Sequence, residues 1–274
     1  MQGFTSLETL KLSSLLVPDL RCIWKGFVTY NLTTLEVERC KRLTHVFTDS
    51  MIASLVQLNF LKISNCEELE QIIAKDNDDE NDQLLSGNDL QSACFPNLCR
   101  LNITGCNKLK SLFPVAMASG LKKLQELQVR ESSQLLGVFG QGDHASPANV
   151  VKEMVLPDLE MLSLEKLPSI VYFSHGCCDF IFPCLSILTV CQCPKLSTKF
   201  ATTSNGSMSA QLEGFVLSNL TTLIVRKCDR LIHVFTINII ASLVQLEVLK
   251  ISNCEELEQI IGKDNDDEND QILS

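Results

Sequence analysis

Residues 58–66 read LNFLKISNC, and these nine residues decide the fold. Leu61, Lys62 and Ile63 alternate apolar and polar, the period-two pattern of a strand with one face buried. Leu58, three residues before Leu61, and Cys66, three residues after Ile63, carry the apolar set beyond the alternation. The same pattern, L-x-x-L-x-[LIV]-x-x-[C/L/S], occurs nine times, starting at Leu7, Leu32, Leu58, Leu98, Leu124, Leu159, Leu185, Leu220 and Leu246. One such strand cannot bury its apolar face alone. Stacked copies can, each buried Leu or Ile contributing roughly 1.5–3 kcal/mol.

Successive copies start 25, 26, 40, 26, 35, 26, 35 and 26 residues apart, a spacing that belongs to repeat arrays. The expected fold is therefore an α/β leucine-rich-repeat solenoid. A curved parallel sheet should line its concave face, and short helices and loops its convex face. We expect one domain of about nine repeats over residues 1–274. Three connections look helical, at 49–58, 114–124 and 238–246, each opening on a capping Asp or Asn or a first-turn Pro. The longer connections are polar, and Phe95-Pro96, Leu156-Pro157 and Phe182-Pro183 lead from them into the next strand. The aromatic share is only 6%, so aliphatic layers are expected to fill the interior.

Six repeats place Cys at the ninth position: Cys40, Cys66, Cys106, Cys193, Cys228 and Cys254. A small buried residue whose thiol donates to carbonyls at the strand exit explains this without a metal. A zinc site needs convergent pairs such as C-x-x-C, and Cys191-x-Cys193 and Cys177-Cys178 have the wrong spacing. The N-terminus has no basic segment followed by an apolar stretch and a cleavage site, and no apolar run reaches membrane-span length. We therefore expect the thirteen cysteines to be reduced thiols of a cytoplasmic protein.

Residues 31–86 and 219–274 align without a gap and match at 44 of 56 positions, an internal duplication. The polar or variable slots of the strand units make up ten of those positions and hold five of the 12 differences. They are Glu36/Ile224, Glu38/Arg226, Arg39/Lys227, Asn59/Glu247 and Phe60/Val248. The pattern fits a constant frame beneath a presented surface that changes.

Charge and motifs narrow the function. A net charge of −10 argues against nucleic acid or an anionic membrane surface as the partner. The repeated insert KDNDDENDQ, at 75–83 and 263–271, has calcium-loop spacing at Asp76, Asp78 and Glu80. It lacks the Gly at position six and the Glu at position twelve, so a solvated loop is expected. His45 and His233 are duplicates, His144 and His175 lie in inserts, and no phosphate-binding glycine loop occurs. Four glycosylation sequons, at Asn31, Asn102, Asn205 and Asn219, are read as chance matches. No catalytic residue, cofactor or metal is expected, and a Cys–His hydrolase is the least favoured reading.

What remains is a protein-binding face made of the outward strand residues. The candidates are Lys11, Glu36, Glu38, Phe60, Lys62, Arg100, Asn102, Glu126, Gln128, Arg130, Glu165, Ile224, Arg226 and Lys250, with Met161, Ile187 and Thr189 beside them. Charges of both signs mixed with apolar groups suit a protein partner.

The stretch SLVQLEVLKISNCEELEQII at 242–261, its copy at 54–73, and LTTLIVRKCDRLIHVF at 220–235 carry a family likeness. So do the acidic inserts after QII and the F-P-x-L segments at 95–98 and 182–185. This texture resembles the C-terminal leucine-rich repeats of plant intracellular nucleotide-binding immune receptors of the coiled-coil class. The resemblance implies cytosolic pathogen surveillance, by binding an effector or a guarded host protein or by holding the receptor core inactive. The chain starts inside a repeat, ends on the acidic insert and carries no nucleotide-binding motif, so we expect part of a larger receptor. The alternative is a leucine-rich-repeat substrate receptor of a ubiquitin ligase.

Overall fold

The computed structural model describes residues 6–15, 20–23, 30–75, 94–140, 153–175, 179–196, 201–202, 217–236, 240 and 243–262. The acidic inserts beyond Lys75, His144, Cys177, Cys178 and Asn205 lie outside them, as does most of the 238–242 stretch.

Each of the nine sequence units forms one five-residue strand. In order they are Thr9–Ser13, Thr34–Glu38, Phe60–Ser64, Arg100–Thr104, Glu126–Arg130, Met161–Glu165, Ile187–Cys191, Thr222–Arg226 and Val248–Ser252. They pair in sequence order as one nine-stranded parallel sheet. Every pairing places the second and fourth residues of a strand beside their counterparts, as in Leu35 beside Leu61 and Val37 beside Ile63. That register follows from burial, because a one-residue slip would turn each Leu and Ile pair to the opposite face.

One residue past each strand the chain turns through a left-handed conformation. Ser14, Arg39, Asn65, Gly105, Glu131, Lys166, Gln192, Lys227 and Asn253 have φ between 51° and 67°. Only one is glycine, although this region costs other residues roughly 1–2 kcal/mol. The turn still extends the ladder, since the Arg39 amide donates to the Ser64 carbonyl and the Lys166 amide to that of Cys191. It also reverses the alternation, so Arg39 projects outward and Cys40, next along, returns to the interior.

The cysteine position behaves as its small size predicts. Cys40, Cys66, Cys106, Cys193, Cys228 and Cys254 each donate to the carbonyl two residues back, at 3.4–3.7 Å. Ser132 makes the same bond at 3.2 Å in the fifth repeat. Burial pushes the thiols of Cys66 and Cys228 up to about 12 and that of Cys106 up to about 11, and raises Cys193 as well. These thiols stay protonated and make no nucleophile at neutral pH.

The side opposite the sheet differs from the expectation. Of the three expected helical segments, 49–58 holds only a four-residue helix, Asp49–Ile52, and 114–124 a 3₁₀ helix, Val115–Gly120, while residues 238, 239, 241 and 242 of the third lie outside the described residues. Thr48 is the N-cap of the first, with Asp49 inside its first turn. Short strands are commoner there: His45–Thr48 pairs with Gln71–Ala74, His233–Thr236 with Gln259–Gly262, and Glu153–Val155 with Asp179–Ile181. A four-stranded sheet joins Phe113–Pro114, Gly137–Gly140, Tyr172–His175 and Ala201–Thr202. The reason lies in the spacing of the apolar residues. Ile52, Leu55 and Leu58 fall three apart, and the Leu55 and Leu58 amides donate to carbonyls three residues back. Ala118, Leu121 and Leu124 repeat this, as do Ile240, Leu243 and Leu246. A period of three suits successive tight turns that lead into the strand, and segments this short hold no more than about one turn of α-helix.

Nor is the interior wholly aliphatic. Phe47, Phe95 and Phe113 stack with ring centroids 5.6 and 5.8 Å apart, and Phe139, Phe173 and Phe182 at 5.7 and 5.6 Å. All six are fully or almost fully buried. They form two aromatic runs that tie the short connections together. Tyr172 crosses directly over Gly137, where a Cβ would sit 2.1 Å from the Tyr ring, so this close approach requires glycine.

Candidate functional site

Alternation along nine registered strands leaves one face of the sheet open, three residues per strand. All fourteen sequence candidates lie on it. The middle row runs Lys11, Glu36, Lys62, Asn102, Gln128, Ser163, Thr189, Ile224, Lys250. The row at the strand starts contains Phe60, Arg100 and Glu126, followed by Met161, Ile187, Thr222 and Val248. The row at the strand ends contains Glu38, then Ser64 and Thr104, then Arg130, Glu165, Cys191 and Arg226.

Neighbours in these rows pair across strands. Lys11 meets Glu36 at 2.7 Å, and Arg130 meets Glu165 at 3.1 Å. Along single strands, Ser163 donates to the same Glu165 oxygen at 2.8 Å, and Gln128 donates to Glu126. The Arg100 guanidinium lies over the Phe60 ring, 4.9 Å from its centre, a cation–π contact. Such partly exposed pairs contribute at most about 1 kcal/mol each to stability. Their effect is to hold side chains in fixed directions and to spend their charge within the protein.

The left-handed residues add a fourth row that alternation alone does not anticipate. Arg39, Asn65, Glu131, Lys166, Gln192 and Lys227 are exposed along the strand exits. Arg39 reaches back to Glu38 at 3.6 Å, and Lys166 bonds Glu131 at 2.5 Å, which lowers the Glu131 carboxyl below its ordinary range. Cys191 belongs to the open face as well. It is half-buried at a strand end, and burial, followed by the Glu165 carboxylate beside it, pushes its thiol up. The period-two rule finds Cys191, Thr222 and Val248 as readily as it finds Glu36; the exit row needs the backbone turn.

His45 and His233 open short strands on the far side, and His45 Nδ1 lies 3.1 Å from the Thr44 hydroxyl. Among the described residues no group of three His, Cys, Asp or Glu is placed to hold a metal ion. Among them, too, no helix is long and apolar enough to cross a membrane.

Comparison with known proteins agrees with this geometry. The family model for plant disease resistance protein RPS2-like leucine-rich repeats matches residues 1–67, 68–215 and 206–274. A probable disease resistance protein of Arabidopsis thaliana is 32% identical over 194 residues, covering 70% of this chain. The aligned part is 18% of that relative's length. No solved structure matches. With the family match running the length of the chain and a strand at every predicted repeat, the protein belongs to the leucine-rich-repeat family of plant disease resistance proteins.

Proposed function

We propose that this chain is the recognition segment of a cytosolic plant immune receptor. Its open sheet face binds a pathogen effector or a guarded host protein, or packs on the receptor core to restrain it. The observation that carries the reading is the gathering of all fourteen candidates on one registered face. Direct protein contact is what mixed polar and apolar side chains on a rigid sheet are suited to.

The duplication provides the test. Residues 34–39 and 222–227 occupy the same place in two copies, so exchanging them keeps every core-facing residue. The exchanged protein is expected to unfold at the same urea concentration as the parent while capturing a changed set of plant proteins in a pull-down. Unchanged capture by a normally folded exchange variant would refute the reading.

A further inference from the structure

The duplicated copies share their core-facing strand residues and differ on their open face. Leu35, Val37, Leu61 and Ile63 recur unchanged as Leu223, Val225, Leu249 and Ile251. Of the six open-face positions in each copy, three differ: Glu36 becomes Ile224, Glu38 becomes Arg226 and Phe60 becomes Val248. The first copy's face thus holds two carboxylates and one lysine; the second holds Arg226, Lys250 and no carboxylate.

Their neighbours accentuate the contrast. Glu36 sits between Lys11 and Lys62, a row of alternating charge already paired through Lys11. Ile224 sits between Thr189 and Lys250, with Ile187, Thr222 and Val248 in the adjoining row. Ile187, Ile224 and Val248 are half-exposed, while Arg226 and Lys250 are exposed and join no ion pair among the described residues. In a protein of net charge −10, this is an aliphatic patch flanked by two uncommitted cations.

Resting on the recognition role proposed above, we infer that the seventh to ninth strands form the docking site, and that it takes an acidic, aliphatic-bearing segment of a partner protein. Ile187, Ile224 and Val248 receive the partner's aliphatic side chains, and Arg226 and Lys250 receive its carboxylates. Charge complementarity selects this occupant: a basic segment would meet two unpaired cations, and a purely apolar one would leave them unsatisfied.

The test uses the full chain and a displayed library of random 16-residue peptides as the probe. Peptides recovered on the parent are measured by fluorescence anisotropy against Ile224→Glu/Arg226→Glu and against Lys62→Glu/Arg100→Glu. The first pair installs residues that the identical frame of the other copy already carries at Glu36 and Glu38, so folding should be retained and is checked by circular dichroism. The expected peptides combine Leu, Ile or Val with Asp or Glu. They bind at least tenfold more weakly to the first variant and unchanged to the second. Loss on the second variant alone would overturn the assignment of the docking site while leaving open-face recognition standing. Peptides indifferent to both variants would likewise overturn the docking site, and the recovery of none would overturn both.

Discussion

Leu61 and Leu249 hold the same position in the two copies, each inside the sequence SLVQL-x-x-LKISNCEELEQII. Local sequence predicts the same cost for truncating either one. The structure does not: Leu61 is 0% exposed, between the second and fourth strands, whereas Leu249, on the last strand of the nine-stranded sheet, is 37% exposed. Leu→Ala removes three carbons, about 2.4 kcal/mol of transfer free energy at about 0.8 kcal/mol each when fully buried. Leu61→Ala also leaves a closed cavity, bringing the loss to about 3–3.5 kcal/mol. At Leu249 a little under two-thirds of the side chain is covered, and the gap opens to water. The loss there should be about 1.5 kcal/mol. Urea unfolding followed by circular dichroism measures both, with amide exchange at Ile63 and Ile251 separating local fraying from global unfolding, since repeat arrays can open in parts. Equal losses, or a larger loss at Leu249, would refute the position-dependent burial on which the fold account rests.

Other outcomes follow from the cysteines and the left-handed turns. The thiols of Cys66, Cys106 and Cys228 titrate higher in the folded chain than the ordinary 9.0, so the folded state holds their protons more tightly. Their stabilisation is complete below about pH 9 and is lost as pH rises toward 11–12, each thiol adding a slope approaching 1.4 kcal/mol per pH unit. Urea midpoints measured at pH 8 and pH 10 should show the decline, and Cys66→Ala should flatten it. Iodoacetamide at pH 7.5 should label Cys184, which is exposed, far faster than Cys66, Cys106, Cys193 or Cys228, which should react only in denaturant. Mass spectrometry of the labelled peptides reads this directly. Gly105→Ala places a Cβ 2.5 Å from Asn65 Oδ1 at a φ of 67°, and should cost about 1–2 kcal/mol in thermal or urea unfolding. Lys227→Gly, at the same turn position with φ of 51°, should be neutral or stabilise by up to about 1 kcal/mol.

The strands and their open face are legible in the sequence because both depend on one local rule, the alternation around residues such as Leu61-Lys62-Ile63. Three features escape that rule. Ile52, Leu55 and Leu58 span too few residues to separate a period of 3.0 from 3.6, so tight turns read as helix. Phe47 and Phe95 lie 48 residues apart in the chain, and only the stacking of repeats makes them neighbours. The outward swing of Arg39 and Lys166 comes from a left-handed turn that residues other than glycine seldom adopt, which leaves no compositional sign of it. Cross-strand pairs such as Lys11–Glu36 fall between these cases. Each member is visible as a candidate, but the partner is fixed only by the register.

The central claim, that recognition belongs to the open sheet face, is tested most directly by hydroxyl-radical footprinting with and without the partner recovered in the pull-down. Ile187, Ile224 and Val248 should lose reactivity on binding, while Leu136 and Ile232, exposed outside the nine-stranded sheet, should keep theirs. Protection of Leu136 and Ile232, with the open-face residues unchanged, would contradict the account.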